Sequence, residues 1–255
     1  MSRAILLSLC LALPSSTMGQ GFFSMRRAVR YGQAKIDKRY EEVMGERLGR
    51  YVATKFKGKR ALILLPPESF ILDYGKDVDM PHMLPLQGLR KGMKRLVVVD
   101  TIKPKMPAAV RAKIKRDSVE KRTMMPNPRD YLWFGVRELN QELERYKGTY
   151  DVLVCLTSLP GVDLPPLRSR TPVGFEKLRV WQEKGVSVAL LDVTVVGLRP
   201  LIQSGKICAA ATYKRNLPHG TFEIPPARNL NKAFDTRFLL ITPDNVSEYP
   251  TYFQK

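Results

Sequence analysis

Residues 186–211, VSVALLDVTVVGLRPLIQSGKICAAA, constrain the fold more than any other stretch. An apolar run ends in Asp192, a short amphipathic run follows, and Gln-Ser-Gly-Lys leads into a second small-residue run. The order is strand, Asp-bearing loop, short helix, turn, strand. Further apolar runs of strand length recur at ALILL (61–65), RLVVVD (95–100), DVLVCL (151–156) and FLLIT (238–242). They are apolar throughout rather than alternating, and Gly or Pro bounds several of them. That pattern marks strands covered on both faces, as in a parallel sheet with helices above and below.

Helical signals fill the gaps. Over 22–56, Val29, Ile36, Tyr40, Val43, Met44, Leu48 and Val52 recur near a 3.6-residue spacing, with basic residues elsewhere on the helix. Residues 83–93 read as a short helix. Leu132, Val136, Leu139 and Leu143 stripe 130–147, and Lys147-Gly148 stops that helix. Thr171-Pro172 reads as a cap and first position, opening a helix through Phe175, Leu178 and Trp181 to Lys184-Gly185. A loop is expected before 238–242. The fold class is therefore α/β: a mostly parallel sheet of five to six strands with helices on both faces.

The first residues speak to compartment. Arg3, the apolar run 4–13, Pro14 and a small-residue zone near Gly19 have the layout of a signal peptide over 1–20. No other stretch reaches the roughly 18 apolar residues a membrane-crossing helix needs. The expectation is a periplasmic or secreted chain, with a helical lead over 21–57 and an α/β domain over 58–255. Beyond the leader, Cys155 and Cys208 lie in apolar strands. They read as buried small hydrophobes, pairing only if their strands are neighbours.

Forty-three Lys and Arg against 24 Asp and Glu give a formal charge of +19. Such a balance attracts polyanions, anionic surfaces or acidic partners. The densest run is Arg90–Arg122, with twelve basic residues against three acidic. Within a basic insertion at about 101–128, Arg111, Lys113, Lys115 and Arg116 are the candidate polyanion contacts; a short basic helix or a solvated insertion both fit. No Phe, Tyr or Trp interleaves with these charges, which disfavours base stacking.

Catalytic signatures do not accompany this framework. There is no GxGxxG, P-loop, GxSxG or HExxH. His82 and His219, the only histidines, lack a second ligand at metal spacing. Glu68 and Asp73 would pair only if a cleft joined them. No metal, cofactor or enzymatic activity is expected.

Six pieces in order resemble the type I periplasmic binding proteins, the sugar-binding family of bacterial ABC importers. They are KFKGKRALILLPP, LQGLRKGMKRLVVVDT, YDVLVCLTS, GFEKLRVWQEKGVSVALLD, LIQSGKICAAATY and TRFLLITPDNVSEY. The resemblance implies a fold like one lobe of such a protein, with most of the N-terminal lobe missing. It implies a ligand edge at the strand ends. The family's Asn-Asp after its third strand falls on Thr157-Ser158, its Asp after the fourth on Asp192, and its Gln after the fifth near Tyr213. Asp192 would accept hydrogen bonds from ligand hydroxyls, and Thr157 and Ser158 would donate. Tyr213, with Lys214 and Arg215, would add stacking and charge unless this is a plain solvated loop. The implied role is non-enzymatic binding of a small polar ligand, sugar included, at a reduced or repurposed site. A protein partner or a second copy would complete the missing lobe. The alternative is an envelope scaffold whose basic surface holds an acidic partner or polyanion. A cytoplasmic nucleic-acid-binding protein is the third reading, should the leader not be a signal.

Overall fold

The computed structural model describes residues 18–67, 83–94, 96–120, 134–157, 159–160, 175–191, 193, 195–218 and 220–253. The apolar runs become β1 (Arg60–Leu64), β2 (Val97–Ile102), β3 (Val152–Cys155), β4 (Ser187–Leu191), β5 (Ile207–Tyr213) and β6 (Phe238–Ile241). They form one six-stranded sheet in the order β2-β1-β3-β4-β5-β6. The first five strands are parallel, and β6 runs antiparallel to β5. The sheet is thus mixed but mostly parallel.

Side-chain alternation divides the core between the two faces. Leu62, Leu64, Leu153, Cys155, Val188 and Leu190 point to one face. There they meet Leu139 and Leu143 of α4 (Val136–Glu144) and Ile202 of α5 (Arg199–Gln203). Ala61, Ile63, Val152, Val154, Ala189 and Leu191 point to the other. They pack under α1 (Met18–Lys55), α2 (Met83–Gly92) and α6 (Leu230–Arg237). The stripe read along α1 is correct where its side chains are described: Tyr40, Met44, Leu48 and Val52 are buried.

Helices α1 and α2 pack at glycines. Gly45 and Gly49 on α1 face Gly88 and Gly92 on α2, each pair spaced four apart and so on one helix face. A Cβ on Gly88 would stand 2.0 Å from the Glu42 carbonyl oxygen, and one on Gly45 would stand 2.1 Å from that of Pro85. Only glycine allows two backbones this close. Glu46 is buried beside this seam, 2.8 Å from Lys91 and 2.5 Å from Arg50. Burial alone would raise its carboxyl, but hydrogen bonds from Lys91 and Arg50 hold it below the usual range.

Three local expectations change. The run at 95–100 forms a strand, but β2 is a sheet margin rather than a buried strand. Val97 is 62% exposed, and Val98 and Val99 remain exposed too. Apolar composition reports strand propensity, whereas burial needs a neighbour on each side. Next, the helix expected through 175–184 is instead two 3-10 turns, Phe175–Lys177 and Arg179–Trp181. Leu178, extended between them, and Val180 are both fully buried. Positions two apart cannot share one helix face, so the core selects a broken path. Asn140 holds the break: its side chain donates to the Lys177 carbonyl and accepts from the Arg179 N–H. The cap expected at Thr171-Pro172 lies outside the described residues. Finally, the loop expected before β6 contains α6, whose start is capped by the Asn229 side chain accepting from the Lys232 N–H at 3.1 Å.

Cys155 and Cys208 are free and buried. Strand β4 separates their strands, and the two thiols lie on opposite faces. The sheet order thus removes the conditional pairing. Burial pushes both thiols up, Cys208 to about 12, which leaves them inert.

Candidate functional site

Connections leave β1 in one direction toward β2, then cross back over β1 to reach β3. In open α/β sheets such a reversal opens a crevice at the carboxyl ends of the two central strands. Here those ends are Leu65-Pro66-Pro67 after β1 and Leu156-Thr157 after β3. Backbone bonds hold the rim: Leu65 donates to the Ile102 carbonyl and Leu156 to that of Leu64, both at 2.8 Å.

Thr157 lies half-buried at this edge, two residues past the end of β3. Tyr213 ends β5, two strands away, which is roughly 10 Å along the sheet. Its ring is 39% exposed and packs 4.8 Å from that of Phe238. Asp192 and Ser158 lie outside the described residues, as do His82, His219, Glu68 and Asp73.

The two cations after Tyr213 belong to the scaffold rather than to an open edge. The Lys214 backbone N–H donates to the Arg237 carbonyl, and its ammonium donates to the Asp235 carbonyl. Arg215 holds the C-terminal segment: its guanidinium donates to the Thr251 carbonyl at 2.6 Å and the Tyr252 carbonyl at 3.2 Å. Its backbone N–H donates to the Tyr252 hydroxyl at 2.8 Å.

Sequence reasoning did not find Arg237. It is 2% exposed, yet it ends α6 with its guanidinium 3.7 Å from the centre of the Tyr40 ring and 5.0 Å from that of Phe222. Its Nη1 donates to Asp37 at 2.8 Å, and Nη2 donates to the Phe222 carbonyl. It joins α1, α6 and the turn at 221–223 behind Tyr213. The available signal was an Asn cap eight residues upstream of a helix-terminal Arg.

The basic insertion contains α3 (Ala108–Glu120). Lys113 and Arg116 are exposed, and Arg111 is half-buried. At 100° per residue, the positions of Arg111 and Lys115 share one side of the helix and those of Lys113 and Arg116 the other. The four therefore do not form a single stripe. Asp100, inside β2 and two residues before its end, accepts from the Tyr146 hydroxyl and the Thr101 N–H. Those two bonds hold its carboxyl below the usual range.

No family model and no curated protein matches the sequence. Solved structures do. The substrate-binding protein of a sugar ABC transport system from Bordetella parapertussis matches at TM-score 0.46 and 12% identity over 84% of this chain. AraP, an arabinose binding protein from Geobacillus stearothermophilus, matches at 0.44 and 14% over 82%. The XylFII-LytSN complex matches at 0.42 and 13% over 80%. The chain is similar to sugar-binding proteins of ABC importers. It spans about 60% of the length of these chains, 59%, 63% and 60% respectively.

Proposed function

We propose that the chain is a non-enzymatic, extracytoplasmic binding protein that takes a small polar ligand, sugar-like in chemistry, at the carboxyl edge of its sheet. The observation that carries this reading is the reversal between β1 and β3, which brings Thr157 to a crevice of the kind that holds ligands in open α/β sheets. The Thr157 hydroxyl and the Tyr213 ring supply a polar donor and a stacking face. Asp192 and Ser158 are the sequence positions assigned to complete the edge.

The described residues build a single sheet, so the edge offers one wall. Small ligands are held well when most of their surface is enclosed. A second copy or another protein supplies the opposing wall, and the isolated monomer binds weakly. Calorimetry of the monomer with a panel of monosaccharides is expected to give Kd values of about 1 mM or weaker, equivalent to ~4 kcal/mol. Thr157→Ala and Asp192→Asn each weaken that binding. Tight monomeric binding, or binding indifferent to both substitutions, contradicts the reading.

Exposed Lys113 and Arg116 on α3 support a second reading, an envelope scaffold that grips a polyanion. Salt separates the two. Binding through several phosphate or sulfate contacts falls steeply with ionic strength, whereas a hydrogen-bonded sugar site barely responds.

A further inference from the structure

The two margins of the sheet are finished differently. At one, β6 is tied to the turn that follows it. The Asn245 side chain donates to the Leu240 carbonyl at 3.0 Å and accepts from the Thr242 N–H at 2.7 Å. At the other, β2 pairs with β1 alone. Residues 97–100 of β2 are all exposed. Successive residues of a strand point to opposite faces. Three consecutive exposed valines therefore leave β2 open on both faces as well as along its free side.

Margin strands are usually blunted, because a bare one templates pairing with another chain. Asp100 blunts the second half of β2: its carboxylate accepts from the Thr101 N–H at 2.6 Å. One extra residue, Val99, interrupts the register with β1 between the partners of Ala61 and Leu62. Both devices lie beyond Val98, so the opening residues of the strand, paired with Arg60 and Ala61, stay bare. Three β-branched residues in a row also favour the extended backbone that a pairing strand needs.

The charge around this margin selects the partner. Between 90 and 107 the chain carries Arg90, Lys91, Lys94, Arg95, Lys103 and Lys105, with Asp100 the only carboxylate. Lys91 is paired with Glu46, and Arg90 lies in the last turn of α2, where a cation offsets the helix carbonyls. Lys94, Lys103 and Lys105 are exposed and hold no ion pair among the described residues. Lys103 and Lys105 come before α3, whose amino end disfavours cations, so no helix end accounts for them. A second copy is a poor occupant. Antiparallel pairing centred on Val98 and Val99 would set Lys94 of each copy opposite Lys103 of the other, and like charges directly opposite are destabilising.

We propose that the free side of β2 takes an extended acidic segment of another protein as an added strand. The segment's backbone pairs along residues 97–99, and its carboxylates meet Lys94 and Lys103. In this mode main-chain bonds supply affinity and flanking side chains supply the choice of partner. Val97 pairs with Arg60 at the amino end of the sheet, so this surface is separate from the carboxyl edge and does not depend on the sugar reading. Helix α3 contributes no residue to it.

The probe is a capped fluorescent peptide with a Thr-Val-Thr-Val-Thr centre and two glutamates at each end, titrated with the full chain at low salt. Anisotropy is expected to show saturable one-to-one binding. A proline at the central position removes a ladder donor and is expected to weaken binding by about tenfold or more. Val97→Glu sets a like charge beside the added strand, and Lys94→Ala/Lys103→Ala removes its ion pairs; each is expected to weaken binding about tenfold. The same charge removed from α3, by Lys113→Ala/Arg116→Ala, leaves the affinity within about twofold. Urea melts check that the variants fold, and the lysine pair decides if Val97→Glu does not. Absence of saturable binding overturns the proposal, as does equal binding of the proline peptide, which would show charge alone. Equal weakening by both double variants also overturns it. So does a dimer in sedimentation at high salt that Val97→Glu dissolves, since the occupant is then a second copy.

Discussion

Gly88→Ala is expected to destabilise the protein by about 3 kcal/mol, with a correspondingly lower melting temperature of roughly 6–12 °C. The sign decides between two effects. Helix propensity alone favours alanine over glycine by up to about 1 kcal/mol in a helix interior. The new Cβ, however, would stand 2.0 Å from the carbonyl oxygen of Glu42 and 2.9 Å from the N–H nitrogen of Glu46. Both neighbours are backbone of α1 and cannot rotate away, so the helices must part. Their separation would also loosen the Lys91–Glu46 pair across the seam. Gly135→Ala is the control, because its Cβ would approach only the Glu138 carboxylate end, at 3.1 Å. That change is expected to stay within about 1 kcal/mol. Urea melts of both variants make the comparison. An unchanged or stabilised Gly88→Ala protein would mean that α1 and α2 do not pack at their glycines.

Arg237→Ala is expected to cost about 3 kcal/mol, at the low end for breaking a buried ion pair. The substitution removes a guanidinium that contacts two rings, a carboxylate and a backbone carbonyl at once. It leaves the Phe222 carbonyl without its donor and a gap against Tyr40. Asp37 is 44% exposed, so water can solvate it once the partner is gone. The charge is therefore not the main loss. Arg237→Met, which refills much of the volume, is expected to recover about half of the stability by urea melts, since apolar replacements of buried ion pairs are often tolerated. Arg237→Ala within about 1 kcal/mol of the parent would show that the cluster is peripheral to the core.

The sheet was legible because its strands are short apolar runs bounded by Gly and Pro, and six such runs became six strands. The cover over each strand was not legible. Val97, Val98 and Val99 have the composition of a buried strand and the exposure of a margin, since position in the sheet is a property of topology. The path through Leu178 and Val180 was misread for a related reason. Apolar residues at 175, 178 and 181 suit a helix locally, yet the core takes both 178 and 180. Gly45, Gly49, Gly88 and Gly92 show helical spacing in the sequence, but nothing there says that the two pairs meet. Thr157 and Tyr213 came from the resemblance, which set them after the third and fifth strands; Thr157 lies two residues past β3, and Tyr213 is the last residue of β5. Arg215 was not separable from a loop cation, because its partners lie 36 and 37 residues away.

Backbone amide chemical shifts, followed during a monosaccharide titration of the full chain, test the location of the ligand edge most directly. The account predicts that the changes concentrate at Leu156, Thr157 and Tyr213, while Gly148 and Gly185 at the opposite end of the sheet stay still. Changes centred on Gly148 and Gly185, or none at the carboxyl edge under saturating sugar, would contradict it.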